Sequence, residues 1–239
     1  MTRDFAGFGH YQMAERVGLS RSEVNRAREL GLLPIPDIRG RRWSLALVEQ
    51  IAETAEQTRE YLATEYEATA AWARAMLQPA VAVILDTETA KLFGAIVEIA
   101  VIDVATGTTL LDTLVNPGIP IQPAARAVHG IADADVAGAP TWADLLPQAL
   151  EATADRRVLS YNATYDLKVV RADCARTNVD PGHLGDTSRW DCIMRRRSAS
   201  ARSRRWLPLG GSHRALGDAH AARAVLTAMG SLAGAEVPD

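Results

Sequence analysis

The chain has 239 residues, 48% of them apolar, and a formal net charge of −3 from 26 basic and 29 acidic side chains. That length can bury a sizeable core as one large domain or two smaller ones. The charge excludes a globally basic nucleic-acid binder but leaves local patches open. No stretch approaches the ~18 apolar residues of a membrane span, and the N-terminus MTRDFAGFGHYQ lacks the apolar segment of a signal peptide. Cys174 and Cys192 have no CxxC and no histidine partner at zinc spacing. The expectation is a cytoplasmic chain with reduced thiols and no membrane partner.

In chain order, residues 1–78 have a helical texture without a convincing core strand. The run MAERVGLSRSEVNRARELGLL predicts a helix ending near Gly18, a short turn with Ser20 as N-cap, and a second helix closed by Gly31. Ser20 and Glu23 fit a capping box, and the whole has the helix-turn-helix layout. Pro34 to Trp43 predicts a turn or small wing carrying Arg39, Arg41 and Arg42. A long helix from Ser44 to about Gln78 follows, with Glu49, Glu53, Glu56, Glu60, Glu65 and Glu67 along it. A dimer seam there would need a sustained heptad, which it lacks. Over roughly 40 residues this region resembles the helix-turn-helix modules of the excisionase and MerR type. The resemblance implies a second helix entering the major groove of duplex DNA, presenting Arg21, Asn25, Arg26 and Arg28 while Val24, Ala27 and Leu30 face inward. The alternative is a small unit that packs or mediates protein contacts, its acidic helix repelling DNA.

Residues 79–239 alternate strand-like and helix-like runs. Val81–Leu85, Ile96–Val104 and Thr109–Val115 predict three consecutive strands, with Ala105, Thr106 and Gly107 turning between the last two. Helical patterns appear around 141–152, 165–176 and 216–231, and a short strand at Arg157–Ser160 precedes the second of these. The expected fold class is an α/β domain with a mixed sheet.

The stretch VILDTETA, residues 83–90, ends the first strand with two carboxylates two residues apart. Side chains at that spacing on a strand share a face, so Asp86 and Glu88 place two negative charges beside a buried run. A divalent cation is the usual compensation. The blander reading is a strand end facing solvent. Glu65 and Glu67, or Asp133 and Asp135, show the same spacing in ordinary helix or loop contexts. A metal-dependent site needs further hard ligands, and two segments offer them. YNATYD places Asp166 near a helix start, and HRALGD places His213 five residues before Asp218.

Taken together, VILDTETA, YNATYD and HRALGD, in that order, make residues 79–231 resemble the DnaQ-like 3′-to-5′ exonucleases of the DEDDh type. The segment VNPGIPIQPAARAVHGIADADV, with His129 and Gly130, also matches the family. The resemblance implies a ribonuclease H-like mixed sheet with flanking helices. It makes Asp86, Glu88, Asp166 and Asp218 ligands of two Mg²⁺ or Mn²⁺ ions, with Asp86 bridging both, and His213 the general base. It implies contacts from Thr87, Thr89 and Asn162 to the terminal nucleotide, and a partner in single-stranded DNA 3′ ends. Two places depart from the family's pattern: Ala90, Lys91 and Leu92 follow the first motif's Glu88 and Thr89, and Tyr161 stands where a histidine often precedes Asn162. Neither touches a metal ligand. Between the second and third motifs lie seven arginines in residues 189–205, with Trp190 and Trp206. Arg204 and Arg205 lie closest to His213 and are candidates for gripping a single strand; the alternative is a solvated face with two core tryptophans. Two other functions use the same sequence. One is a 3′-to-5′ exoribonuclease, and the other a DNA-binding regulatory protein with the nuclease fold as scaffold.

Overall fold

The computed structural model describes residues 7–39, 41–203 and 205–231. They form two compact units: one runs to Ala70 and includes Arg197–Leu207, and the other comprises Ala71–Arg196 and Pro208–Ser231.

In the first unit α1 (His10–Val17) ends at Gly18, whose φ of 70° lets its N–H close the last turn. Ser20 then caps α2 (Arg21–Glu29), with Ser20 Oγ accepting from Glu23 N at 3.2 Å and Glu23 Oε2 accepting from Ser20 N at 2.7 Å. That is the capping box expected from the spacing. Val24 and Ala27 are fully buried against Met13, Trp43 and Ile51. Between α2 and α3 (Leu45–Met76) the chain makes two isolated antiparallel bridges, Phe8 with Trp43 and Ile38 with Arg42. This is the small wing in outline. The helix expected from Ser44 to Gln78 is continuous, but the division between units falls within it, after Ala70.

The second unit is built on a five-stranded sheet in the order β3-β2-β1-β4-β5, with β1 Ala82–Thr89, β2 Ile96–Asp103, β3 Thr109–Leu114, β4 Arg157–Ser160 and β5 Trp190–Cys192. The first three strands pair antiparallel; β4 and β5 join β1 in parallel. Around it lie α4 (Pro123–His129), α5 (Asp133–Val136), α6 (Trp142–Ala152), α7 (Ala163–Thr177) and α9 (Ala215–Ser231), while α8 (Ile193–Ser200) runs from β5 to the other unit. Alternate residues of β1 enter different layers. Val83 and Leu85 join the cluster with Trp142, Leu145 and Val170 of α6 and α7, whereas Ala82 and Ile84 join Ala219, Ala222 and Leu226 of α9. By the same parity Asp86 and Glu88 continue the α9 face, and Thr87 and Thr89 the α7 face. Every position of β2 is buried, as expected for a strand covered on both sides. Its two acids are compensated: Asp103 by Thr106 and Arg156, Glu98 by partners described below.

Strand β5 and helices α4, α5 and α8 were absent from the sequence-based expectations. Three residues with Asp191 in the middle carry no readable alternation, and α5 spans four residues.

Candidate active site

The C-terminal end of β1 brings the motif residues together. Asp86 lies opposite Ala100 of β2, and Glu88 opposite Glu98 just before a register shift at Thr89. Asp166 enters from the first turn of α7 and is buried; Thr87 Oγ1 donates to its Oδ1 at 2.9 Å and Ser160 Oγ to its Oδ2. Asp218, in the first turn of α9, is also buried, and its Oδ1 accepts the backbone N–H groups of Ser212 at 2.8 Å and His213 at 3.1 Å. That bend brings Gly211 so close that a Cβ there would sit 2.2 Å from Asp218 Oδ1. His213 is exposed and holds a left-handed φ of 55°, a conformation that histidine, like asparagine and aspartate, adopts more readily than most residues. One ligand atom each from Glu88, His213 and Asp218 lies within 4.8 Å of the others.

The electrostatics are those of crowded carboxylates. Burial, followed by repulsion from Asp166, Glu88, Asp218 and Glu98, drives the Asp86 carboxyl well above its ordinary range. Burial, with Asp218, Glu98 and Asp166 next in effect, raises Glu88 to about 7, against the pull of Arg214. Burial raises Asp166 to about 6 although its bonds from Ser160 and Thr87 oppose the shift. No donor among the described residues hydrogen-bonds the side chains of Asp86 or Glu88. A set of hard oxygen donors that repel one another, with two carboxyls left unbonded, fits divalent cations of the Mg²⁺ or Mn²⁺ type. Asp86, Glu88, Asp166 and Asp218 are the residues placed to hold them.

Three residues without an assigned role in the sequence build the frame. Glu98 on β2 accepts from Arg214 Nε at 3.0 Å and from Ala215 N at 2.8 Å, so a buried carboxylate anchors both the salt-bridged arginine and the N-terminus of α9. Its signal is an acid flanked by apolar residues inside a strand, but the partner is 116 residues away. Ser160 holds Asp166. His129 is buried and its pKa is lowered, chiefly by burial; Nδ1 accepts from Ile131 N at 3.0 Å, which assigns the ring proton to Nε2, 3.3 Å from Thr89 O. His129 therefore pins the end of β1.

The other sequence candidates divide. Thr87 and Thr89 are buried and occupied, Thr87 with Asp166 and Thr89 with the Tyr165 hydroxyl at 2.7 Å. Their hydroxyls help to position the site. Asn162 is the exposed N-cap of α7 and makes no side-chain cap bond. Tyr161 is buried in the α9-side core. Arg204 lies outside the described residues. Arg205 belongs to the first unit, where it lines an open pocket with Tyr11, Arg21 and Asn25. In the same unit Arg202 is buried and pairs with Glu23 at 3.1 Å. Arg26 is ion-paired with Glu65 and Glu29, and Arg28 stacks 5.5 Å over Trp43.

A mixed sheet with carboxylates converging at the end of its central strand defines a nuclease of the ribonuclease H-like fold. Residues 83–226 match the Exonuclease (RNase T) family model, and the chain belongs to that family. It is 41% identical over 90 residues to an uncharacterized exonuclease of Escherichia phage 186, covering 37% of this chain and 46% of that protein. It is 44% identical over 89 residues to exodeoxyribonuclease 10 of Escherichia coli K12, covering 36% and 39%. The chain thus spans less than half the length of these curated relatives. Among solved structures, the nuclease domain of 3′hExo, a DEDDh family member bound to rAMP, superposes with a TM-score of 0.52 at 16% identity over 63% of this chain and 92% of that one. That likeness shows the fold. No helix among the described residues is long and apolar enough to cross a membrane.

Proposed function

We propose that the protein is a 3′-to-5′ exonuclease that releases nucleoside monophosphates from the 3′ end of single-stranded DNA, with hydrolysis assigned to residues 79–239. The observation that carries this reading is the convergence of Glu88, His213 and Asp218 within 4.8 Å beside an Asp86 that no described donor satisfies. Two Mg²⁺ or Mn²⁺ ions held by Asp86, Glu88, Asp166 and Asp218 would supply Lewis acidity and positive charge at the scissile phosphate. The chain supplies the rest. Ser160 and Thr87 fix Asp166, and Glu98 fixes the start of α9. Asp218 fixes the backbone of Ser212 and His213, so the exposed imidazole projects from a locked loop. His213 takes the proton of the attacking water. The oxygen of that water bonds to phosphorus, the bond from phosphorus to the 3′ oxygen breaks, and solvent protonates the leaving oxygen. The products are a nucleoside 5′-monophosphate and a strand shortened by one with a new 3′ hydroxyl. DNA is favoured by the relative named an exodeoxyribonuclease. An exoribonuclease would use the same five residues, and its pocket would have to accept a 2′-hydroxyl. Cytoplasmic placement belongs to this reading and rests on the sequence.

The test is degradation of matched DNA and RNA strands, each labelled at the 5′ end, with Mg²⁺ or Mn²⁺. A ladder shortening from the 3′ end of DNA, lost in His213→Ala and Asp86→Ala, is expected. Undiminished degradation by both variants would reject the assignment.

A second reading concerns residues 1–78, for which we propose duplex DNA binding through α2. Arg21, Asn25, Arg28 and Arg41 line one open pocket of 290 Å³ beside Trp43, a basic surface with the layout of a helix-turn-helix reader. A regulatory protein using the nuclease fold as scaffold would rest on this surface alone. In the full chain, Arg21→Ala with Asn25→Ala should weaken duplex retention in a gel shift; unaltered retention would remove α2 from the interface.

A further inference from the structure

We infer that the nuclease unit carries a separate track for the phosphate backbone of the strand that trails the scissile end, laid along the outer face of α7. It rests on the exonuclease reading. A groove of 450 Å³ runs there, lined by Thr164, Lys168 and Arg171 of α7 on one side and by Asp191, Arg195 and Arg196 on the other. Positions 164, 168 and 171 recur at helical spacing on one face, while Val169 and Val170 are buried and Asp166 reaches the carboxylate cluster.

The groove has four cations and one acid. Asp191 is already shared, 2.6 Å from Arg157 and 3.7 Å from Arg196. The Arg171 guanidinium bonds only neutral acceptors, Gly185 O at 2.9 Å and Thr187 Oγ1 at 2.9 Å. Arg195 reaches only Thr164 Oγ1 at 3.4 Å, and Lys168 lies 5.7 Å from the centre of the Phe93 ring. Asp186 also lies within electrostatic reach of Arg171, while Lys168 and Arg195 have no carboxylate among the described residues to balance them, so the cations of this concave surface repel one another. Phosphates along a single strand supply the missing charge. Independent solvation explains a single such cation, but not several facing one groove.

Contacts also lead from the groove to the carboxylates. Lys168 stacks on Phe93, Phe93 packs 4.9 Å from Tyr165, and the Tyr165 hydroxyl bonds Thr89, which follows Glu88 on β1. These contacts link the Lys168 end of the groove to the end of β1, where the scissile phosphate would lie. Neither lysine nor arginine here reads base edges, so the track is indifferent to sequence.

The test uses the full chain with Lys168→Ala and Arg195→Ala combined, two side chains exposed and lightly bonded. Hydrolysis of a dinucleotide and a twelve-nucleotide strand is compared, alongside equilibrium binding of the labelled twelve-nucleotide strand in EDTA. The track predicts a KM for the long strand raised about tenfold with kcat nearly kept, and a smaller advantage of the long substrate over the dinucleotide. The slope of log affinity against log salt should fall by about 1.4, two phosphate contacts at ~0.7 each. The charge-retaining pair Lys168→Arg and Arg195→Lys should restore all three. Unchanged affinity and salt slope in the alanine pair would overturn the track. Absence of hydrolysis by the wild type would instead defeat the exonuclease reading, and the binding measurement would still decide the track.

Discussion

In the first unit, glutamates of α3 and α2 find arginines: Glu65 with Arg26, Glu56 with Arg59, Glu23 with Arg202. At the end of β1 in the nuclease unit, Asp86 and Glu88 face other carboxylates and repel them. The first arrangement neutralises these charges within the protein. The second stores unfavourable charge that a cation relieves. The contrast separates charge used for folding from charge kept for function.

The sharpest way to break that contrast is Asp86→Ala. It removes a half-buried carboxylate that no donor among the described residues bonds, so stability should hold or rise, while the rate of strand hydrolysis falls at least about 10³-fold. A folded variant with wild-type kcat would mean the crowding has no catalytic purpose. His213→Ala should cost about 10²- to 10⁴-fold, read as loss of kcat with KM for the strand nearly unchanged.

Glu98→Ala probes a carboxylate of the nuclease unit that is paired. It leaves Arg214 and the Ala215 N–H without their acceptor, and unfolding in urea should show a loss of about 1–3 kcal/mol. Catalysis should fall as well, because α9 begins one residue after Arg214 loosens. Stability equal to the wild type would show that Glu98 does not anchor the helix.

Titration gives a smaller, reversible effect with a definite sign. Glu88 at about 7 and Asp166 at about 6 lie above their ordinary values of 4.5 and 3.8, so the metal-free fold holds more protons than the unfolded chain. Their contribution is fully present below about pH 4 and is lost as pH rises through 6 to 7. In EDTA, Tm should fall between pH 5 and pH 8. Mg²⁺ should restore it at pH 8 and do little at pH 5, since it needs ionised ligands. A Tm rising over that interval without metal would contradict the crowding. The smallest effect belongs to the first unit. Glu65→Ala should cost no more than about 1 kcal/mol and the loss should shrink in high salt; a loss of several kcal/mol would mean the pair is buried more deeply than its geometry shows.

What the sequence revealed follows from what is local. Asp86 and Glu88 sit two apart on an apolar strand, Ser20 and Glu23 three apart at a helix start, and His213 five residues before Asp218 at the start of the last helix, so a window of a few residues contains each of them. The pairings that complete the site span the chain. Glu98 meets Arg214, Thr87 meets Asp166, and His129 meets Thr89, and nothing in any one segment marks the partner. The arginine-rich stretch shows the same limit. As sequence it lies beside His213, yet residues 197–207 fold with the first unit because Arg202 is buried on Glu23, and the cations left on α7 were read simply as part of a helix. Short elements stayed hidden too, since three residues of β5 are fixed by pairing with β4 and not by their own pattern.

Isothermal titration of the metal-free protein with Mn²⁺ tests the carboxylate cluster most directly, comparing wild type with Asp86→Asn, which keeps the shape and removes the charge. Two Mn²⁺ bound by the wild type, and at least about tenfold weaker or fewer sites in the variant at unchanged fold, is the expected result. Identical binding by both proteins would contradict the assignment of this cluster as a divalent-metal nuclease site.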